Sequence, residues 1–129
     1  MAGFANYAES ELIKWLLSNQ SITRPTAWYI QLHTGDPGEA GSSNLVTGNA
    51  FARQAFLATA ESVGEVKNDG AITFPQASGG NWGLISHVSV WDHISAGNCL
   101  MKGALNSSKQ IDDGDQLVFN DEELTFKAD

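Results

Sequence analysis

The side chains best suited to chemistry in this sequence are three histidines, one cysteine and a scatter of carboxylates. His33 lies three positions before Asp36, and His93 directly follows Asp92, so each has an acid close in sequence. A metal ion needs such ligands to converge on one point. His87 and His93 are six positions apart, which on an uninterrupted strand separates them by roughly 20 Å. A shared metal would therefore need His33 from another strand, and otherwise the histidines read as polar or half-buried strand and turn residues. Asp112-Asp113-Gly114-Asp115 has the form of half a calcium loop, without the alternate ligands through position 5 or the closing glutamate at position 12. It reads as a solvated turn. Cys99 would be a nucleophile only with a histidine in reach, and its place in a hairpin strand argues for packing. With 15 acids in the chain, chance carboxylate pairs are unavoidable and none can be nominated for glycoside cleavage. No serine sits in a nucleophile elbow, and Gly35 to Gly41 lacks the Gly-Lys of a phosphate loop. These residues name no catalytic group, no metal ligand and no cofactor. Trp91, followed by Asp92 and His93 at a strand end, is the aromatic side chain placed to contact a ligand, because its ring can stack on a sugar. Trp15 lies on a helix stripe and Trp28 and Trp82 on strand faces, as core residues do.

The elements that must position these groups change character once along the chain. Asn6 with Glu9 three residues later has the form of a capping box, and Ala8, Leu12, Trp15 and Leu16 follow at helical spacing, widened by Ile13 and Leu17. The spacing predicts a helix over 6–19, ended before Arg24-Pro25. From Ala27 the period becomes 2. Strands are expected at 27–34, 51–60, 71–75, 82–91, 100–105, 117–119 and 124–126, separated by Gly-, Asn- and Asp-marked turns. In the first of these Trp28, Ile30 and Leu32 alternate with Tyr29, Gln31 and His33. In the strongest, Trp82, Leu84, Ser86, Val88 and Val90 alternate with Ile85, His87, Ser89 and Trp91. Short strands at intervals of 8 to 12 residues argue for an antiparallel β-sandwich, jelly-roll-like, with one helix before it. A single domain over 1–129 is expected, the helix at 6–19 and the sandwich at 27–127.

Charge excludes one class of partner. The chain of 129 residues has 7 basic and 15 acidic residues, net −8, and the basic ones are scattered singly. A phosphate backbone would be repelled, so no nucleic-acid partner is expected. The longest apolar run falls well short of the roughly 20 residues of a membrane helix, so no membrane partner is expected either. The first residues lack the basic start and apolar run of a secretory signal, which points to synthesis and assembly in a cytoplasm. One cysteine excludes a disulfide within the chain.

Several segments, in their order and spacing, resemble a family of small bacteriophage virion proteins commonly labelled tail fibre proteins. They are Leu32-His33-Thr34-Gly35-Asp36-Pro37-Gly38, Phe51-Ala52-Arg53-Gln54, Phe74-Pro75, Trp82-Gly83, His87-Val88, Trp91-Asp92, Gly103-Ala104-Leu105, and Gly114-Asp115 before Phe119. The sequence departs from the family pattern at Leu45-Val46, at Phe51 and at His93, changes that keep the strand pattern. The resemblance implies a non-enzymatic virion structural protein with no catalytic residues to carry over. Its partners would be other phage structural proteins and further copies of itself, with a host surface glycan as a further candidate. Tail fibre or baseplate is the first expected position, capsid decoration the alternative, and a host-glycan-binding module the third reading. In the first two the N-terminal helix either docks into a neighbouring subunit or covers a sheet.

Physically the matched segments suit a scaffold. Gly35, Asp36, Pro37 and Gly38 form a turn, glycine supplying positive φ and proline a fixed one. Arg53 is expected to pair with Asp36 and tether that loop to the neighbouring strand.

Overall fold

A computed structural model describes residues 3–128. Apolar–polar alternation and glycine turns produce eight antiparallel strands: β1 (Tyr29–His33), β2 (Gln54–Ala55), β3 (Glu65–Lys67), β4 (Ile72–Thr73), β5 (Gly83–Trp91), β6 (Cys99–Ile111), β7 (Val118–Phe119) and β8 (Thr125–Lys127). They follow one helix, α1 (Asn6–Leu17). The larger sheet has the order β2-β1-β5-β6, and the other layer is split into the pairs β3-β8 and β4-β7. Ile30, Leu32, Val88 and Val90 from the larger sheet share one core with Phe74, Leu117, Phe119, Leu124 and Phe126. Edge-on aromatic contacts, Phe56 on Phe126 and Phe74 on Phe119, close that core. The mainly β architecture with an N-terminal helix is the one expected.

Helix α1 starts at Asn6 as expected, but without the capping box. Its N-cap is Ala5, and no side chain caps it. Two of the donors left free at the helix start are taken by backbone instead: Ala5 N–H donates to Leu100 O and Asn6 N–H to Glu39 O, both at 2.9 Å. Phe4 also bridges Met101, so the start of the helix is fastened to the edge of β6. The helix ends at Leu17, two residues earlier than expected, where the Ser18 backbone turns extended and its N–H returns to Lys14 O. Trp15, expected in the core, is 65% exposed.

Two strands differ from the sequence pattern for a physical reason. The register of β5 against β6 shifts between Ile85 and His87. An irregularity there resets the alternation, so Ile85 joins Val88 and Val90 in the core while Leu84 turns to solvent. Residues 51–60 form a ladder only at Gln54–Ala55, because Phe56 N–H then returns to Trp28 O and Thr59 N–H reaches Lys67 O. The strand β3 was not expected at all, and β6 extends six residues beyond the expected Leu105.

The turn before β3 stores strain. Ser62 and Glu65 exchange both backbone hydrogen bonds at 3.0 Å, leaving Val63 at φ +49° and Gly64 at +75° as the two loop residues. A β-branched residue rarely adopts positive φ, whereas asparagine before glycine favours it. Val63 is 97% exposed, so nothing is lost with its side chain. Val63→Asn is expected to raise stability by about 1 kcal/mol, read as a higher melting temperature; an unchanged value would mean the turn carries no strain.

Candidate functional site: a polar cluster behind the central strands

Strand β1 is buried on both faces. Ile30 and Leu32 face the core, while Gln31 and His33 face backwards and are also buried. The pairing places Gln31 opposite Ser89 and Tyr29 opposite Trp91, so the polar face of β1 meets the polar face of β5. Two irregular segments cover it: the loop from Gly35 to Asn44, and the β5–β6 connection from Asp92 to Asn98.

The cluster is a directed chain of hydrogen bonds. Trp91 Nε1 donates to Ser89 Oγ at 2.7 Å. His33 Nδ1 lies 2.8 Å from the Ser43 carbonyl, which can only accept, so that nitrogen carries the proton. His33 Nε2 is then the acceptor for the Ser89 hydroxyl at 2.7 Å. Burial pushes the imidazole down to about 4, opposed by the Ser43 carbonyl and aided by the His87 and Arg53 charges. The Ser89–His33 spacing is that of a nucleophile and its base. Both side chains are fully buried, and the hydroxyl already receives the indole N–H, so a substrate has no approach to it.

Arg53 holds the other side. Its Nε donates to Gln31 Oε1 at 2.9 Å, and Nη1 donates to the His93 and Ala96 carbonyls at 2.9 and 2.8 Å. The guanidinium lies 4.2 Å above the Trp91 ring. Gln31 Nε2 in turn donates to Val46 O. The expected Arg53–Asp36 pair is therefore not formed: Arg53 ties the β5–β6 connection, not the 35–44 loop. A planar fork with several donors fits converging carbonyls better than one distant carboxylate. The loop is fastened by Lys102 of β6, 3.2 Å from Glu39 and 4.0 Å from Asp36.

Within the loop the expected turn residues each have a distinct use. Asp36 Oδ1 accepts from Gly38 N–H at 2.9 Å, a bond that holds the Asp36 carboxyl below the usual range. Pro37 is fully buried and its carbonyl accepts from Ser43 N–H. Gly38 has φ +75°, and a side chain on Gly35 would run into the Asn44 amide at 2.8 Å. Gly41 presses against the buried Cys99, where a Cβ would lie 2.6 Å from the cysteine Cβ. Burial there pushes the Cys99 thiol up to about 11.

Trp91, Asp92 and His93 are brought together at the end of β5, each engaged within the chain. The Trp91 side chain is 9% exposed beneath Arg53. Asp92 Oδ1 accepts from Asn98 N–H at 2.7 Å, and His93 Nδ1 lies 3.1 Å from the Ser95 and Ala96 N–H groups. Gln31, Ser89 and Lys102 belong to the cluster although no sequence motif marks them. Their signal was the alternation itself, which put Gln31 with His33 and Ser89 with Trp91. Among the described residues no three His, Cys, Asp or Glu side chains gather as a metal site, and no helix is long and apolar enough to cross a membrane.

A family model described as podophage GP4 fiber I protein gp80 matches residues 3–127. No curated protein matches the chain.

Proposed function

Since the chain belongs to the podophage GP4 fiber I protein gp80 family, and so to the structural proteins of phage fibres, we propose that it works in the tail. There it is a non-enzymatic fibre or baseplate-associated component, present in repeated copies and acting through protein contacts. The observation that carries this reading is the destination of its buried and half-buried polar groups. His33 bonds to Ser43, Gln31 to Val46, Arg53 to His93 and Ala96, and Asp92 to Asn98, which fastens the 35–44 loop and the β5–β6 connection to the sheet. Such pre-ordered loops suit repeated docking, because little ordering entropy remains to be lost on contact. The other phage structural proteins are the partners, and the virion is the location.

Immunogold labelling of purified virions with an antibody to this chain tests the position. Label at the tail is the expected result. Label spread over the capsid would replace it with a decoration role, and absence from the particle would end the virion reading. Titration with host polysaccharide, followed by tryptophan fluorescence, is expected to be flat, because the Trp91 ring is already covered by Arg53; a saturable change would assign a receptor role.

A further inference from the structure

The first turn of α1 is anchored, with Ala5 and Ala8 buried, but the second half lifts away. Every residue from Trp15 to Arg24 is exposed. Between the inner side of α1, from Tyr7 to Trp15, and the sheet runs a groove of about 1000 Å³, bordered by Arg24 and lined below by Trp28, Phe56, Leu57, Met101 and Phe126. Its charged lining residues are Glu11 and Arg24. Glu11 is bonded to Lys14 at 2.8 Å. Arg24 has no ion-pair partner among the described residues.

The opposite side of the same helix is apolar too. Ile13, Leu16 and Leu17 are each more than half exposed, Leu17 at 78%. Their i, i+3, i+4 spacing puts them on one side, and Glu9 sits one turn before Ile13 on that side. Glu9 is exposed and has no ion-pair partner among the described residues. A helix apolar on two sides is a helix built to be buried on both, and large exposed apolar patches mark contact surfaces.

We propose that the Glu9–Ile13–Leu16–Leu17 stripe of one copy seats in the groove beneath α1 of a second copy, with Glu9 facing Arg24 across the contact. The occupant is a second copy because one chain carries both halves, matched in apolar character and in charge sign. Net −8 sets copies to repel one another in general, so an unpaired cation at the groove rim is placed where it offsets an incoming acid. This deepens the reading of the protein as a repeated fibre component by naming the surface that repeats.

Sedimentation velocity of the full chain, from about 1 to about 100 μM, brackets a micromolar dissociation constant. The wild type is expected to associate as concentration rises. Leu16→Glu with Leu17→Glu is expected to stay monomeric with an unchanged circular dichroism spectrum, since both side chains are exposed in the single chain. Arg24→Glu is expected to weaken association at least tenfold, and Glu9→Arg added to it to restore most of the loss. Should a variant fail to fold, mixing Leu17→Cys protein with Leu57→Cys protein under mild oxidation gives a second readout: the expected product is a mixed disulfide dimer. A wild type monomeric throughout, or association indifferent to the helix stripe, or no mixed dimer from associated protein, would each overturn the proposal. Association in solution by a chain absent from virions would leave this contact standing and remove the fibre role; a virion chain that never self-associates would do the reverse.

Discussion

Acidification from pH 7 to pH 4 is expected to cost this protein about 3 kcal/mol through one side chain, His33. In the unfolded chain an imidazole titrates near its ordinary value of 6.5; in the fold, burial pushes His33 down to about 4. Above pH 6.5 it is neutral in both states and its contribution is complete. As pH falls below 6.5 the unfolded state takes up the proton first, and stability declines until the folded state also protonates near pH 4. The separation of about 2.5 units, at about 1.4 kcal/mol per unit, sets the size. Protonation also removes the acceptor at Nε2, so the Ser89 hydroxyl must turn away and the chain from Trp91 to Ser43 breaks. Urea unfolding of wild type and His33→Asn between pH 7 and pH 4.5 checks this, since the variant shares every other titrating group and the difference between the two curves isolates His33. The variant is expected to be the weaker protein at pH 7, with a flatter dependence, and the two curves to approach each other in acid. Parallel curves would show that His33 is not the titrating group.

Arg53→Ala is the second large effect, expected to lower stability by about 2 to 4 kcal/mol. It removes charge-assisted bonds to Gln31, His93 and Ala96, each in the range of about 1.5 to 3 kcal/mol but shared and partly exposed. It also uncovers the Trp91 ring, a contact of about 1 kcal/mol. Arg53→Lys is expected to recover less than half, since one ammonium cannot reach Gln31 and both carbonyls in the fork geometry. A drop of roughly 10 °C in melting temperature is the first readout. Faster hydrogen exchange confined to residues 92–98 is the second, and it separates loss of the tie from general destabilisation. Unchanged exchange there would mean that the β5–β6 connection holds without Arg53.

Local features were legible in the sequence and distant ones were not. The start of α1 and the hairpin joining β5 to β6 lie where neighbouring residues put them, although the helix start is held by the Leu100 and Glu39 backbone and not by an Asn6–Glu9 box. Strand β3 escaped because Glu65-Val66-Lys67 holds one apolar residue, and its ladder partner, Phe126 with its neighbours, lies some sixty positions away. The reversal of faces at Leu84 and Ile85 depends on how β6 registers against β5, which no reading of β5 alone supplies. In the polar cluster, the side chains were visible and the pairing was not. The sequence suggests an Arg53–Asp36 pair because opposite charges are the one attraction a sequence displays. The true acceptors on His93 and Ala96 are backbone carbonyls, which every residue possesses and none advertises. Trp15 looked like a core residue for a related reason: an apolar stripe states that burial is needed, and not whether the same chain provides it.

The cysteine packed under Gly41 has a practical consequence. Its thiol is buried, is held protonated by that burial, and packs against Gly41 of the 35–44 loop in one small cluster with Trp91 and Ala5. A thiol reagent is therefore expected to reach Cys99 only when the 35–44 loop lifts off β6, so the rate at which the native protein is modified would report that opening. The chain carries a single natural clock for its own breathing, readable by mass spectrometry without any engineered label.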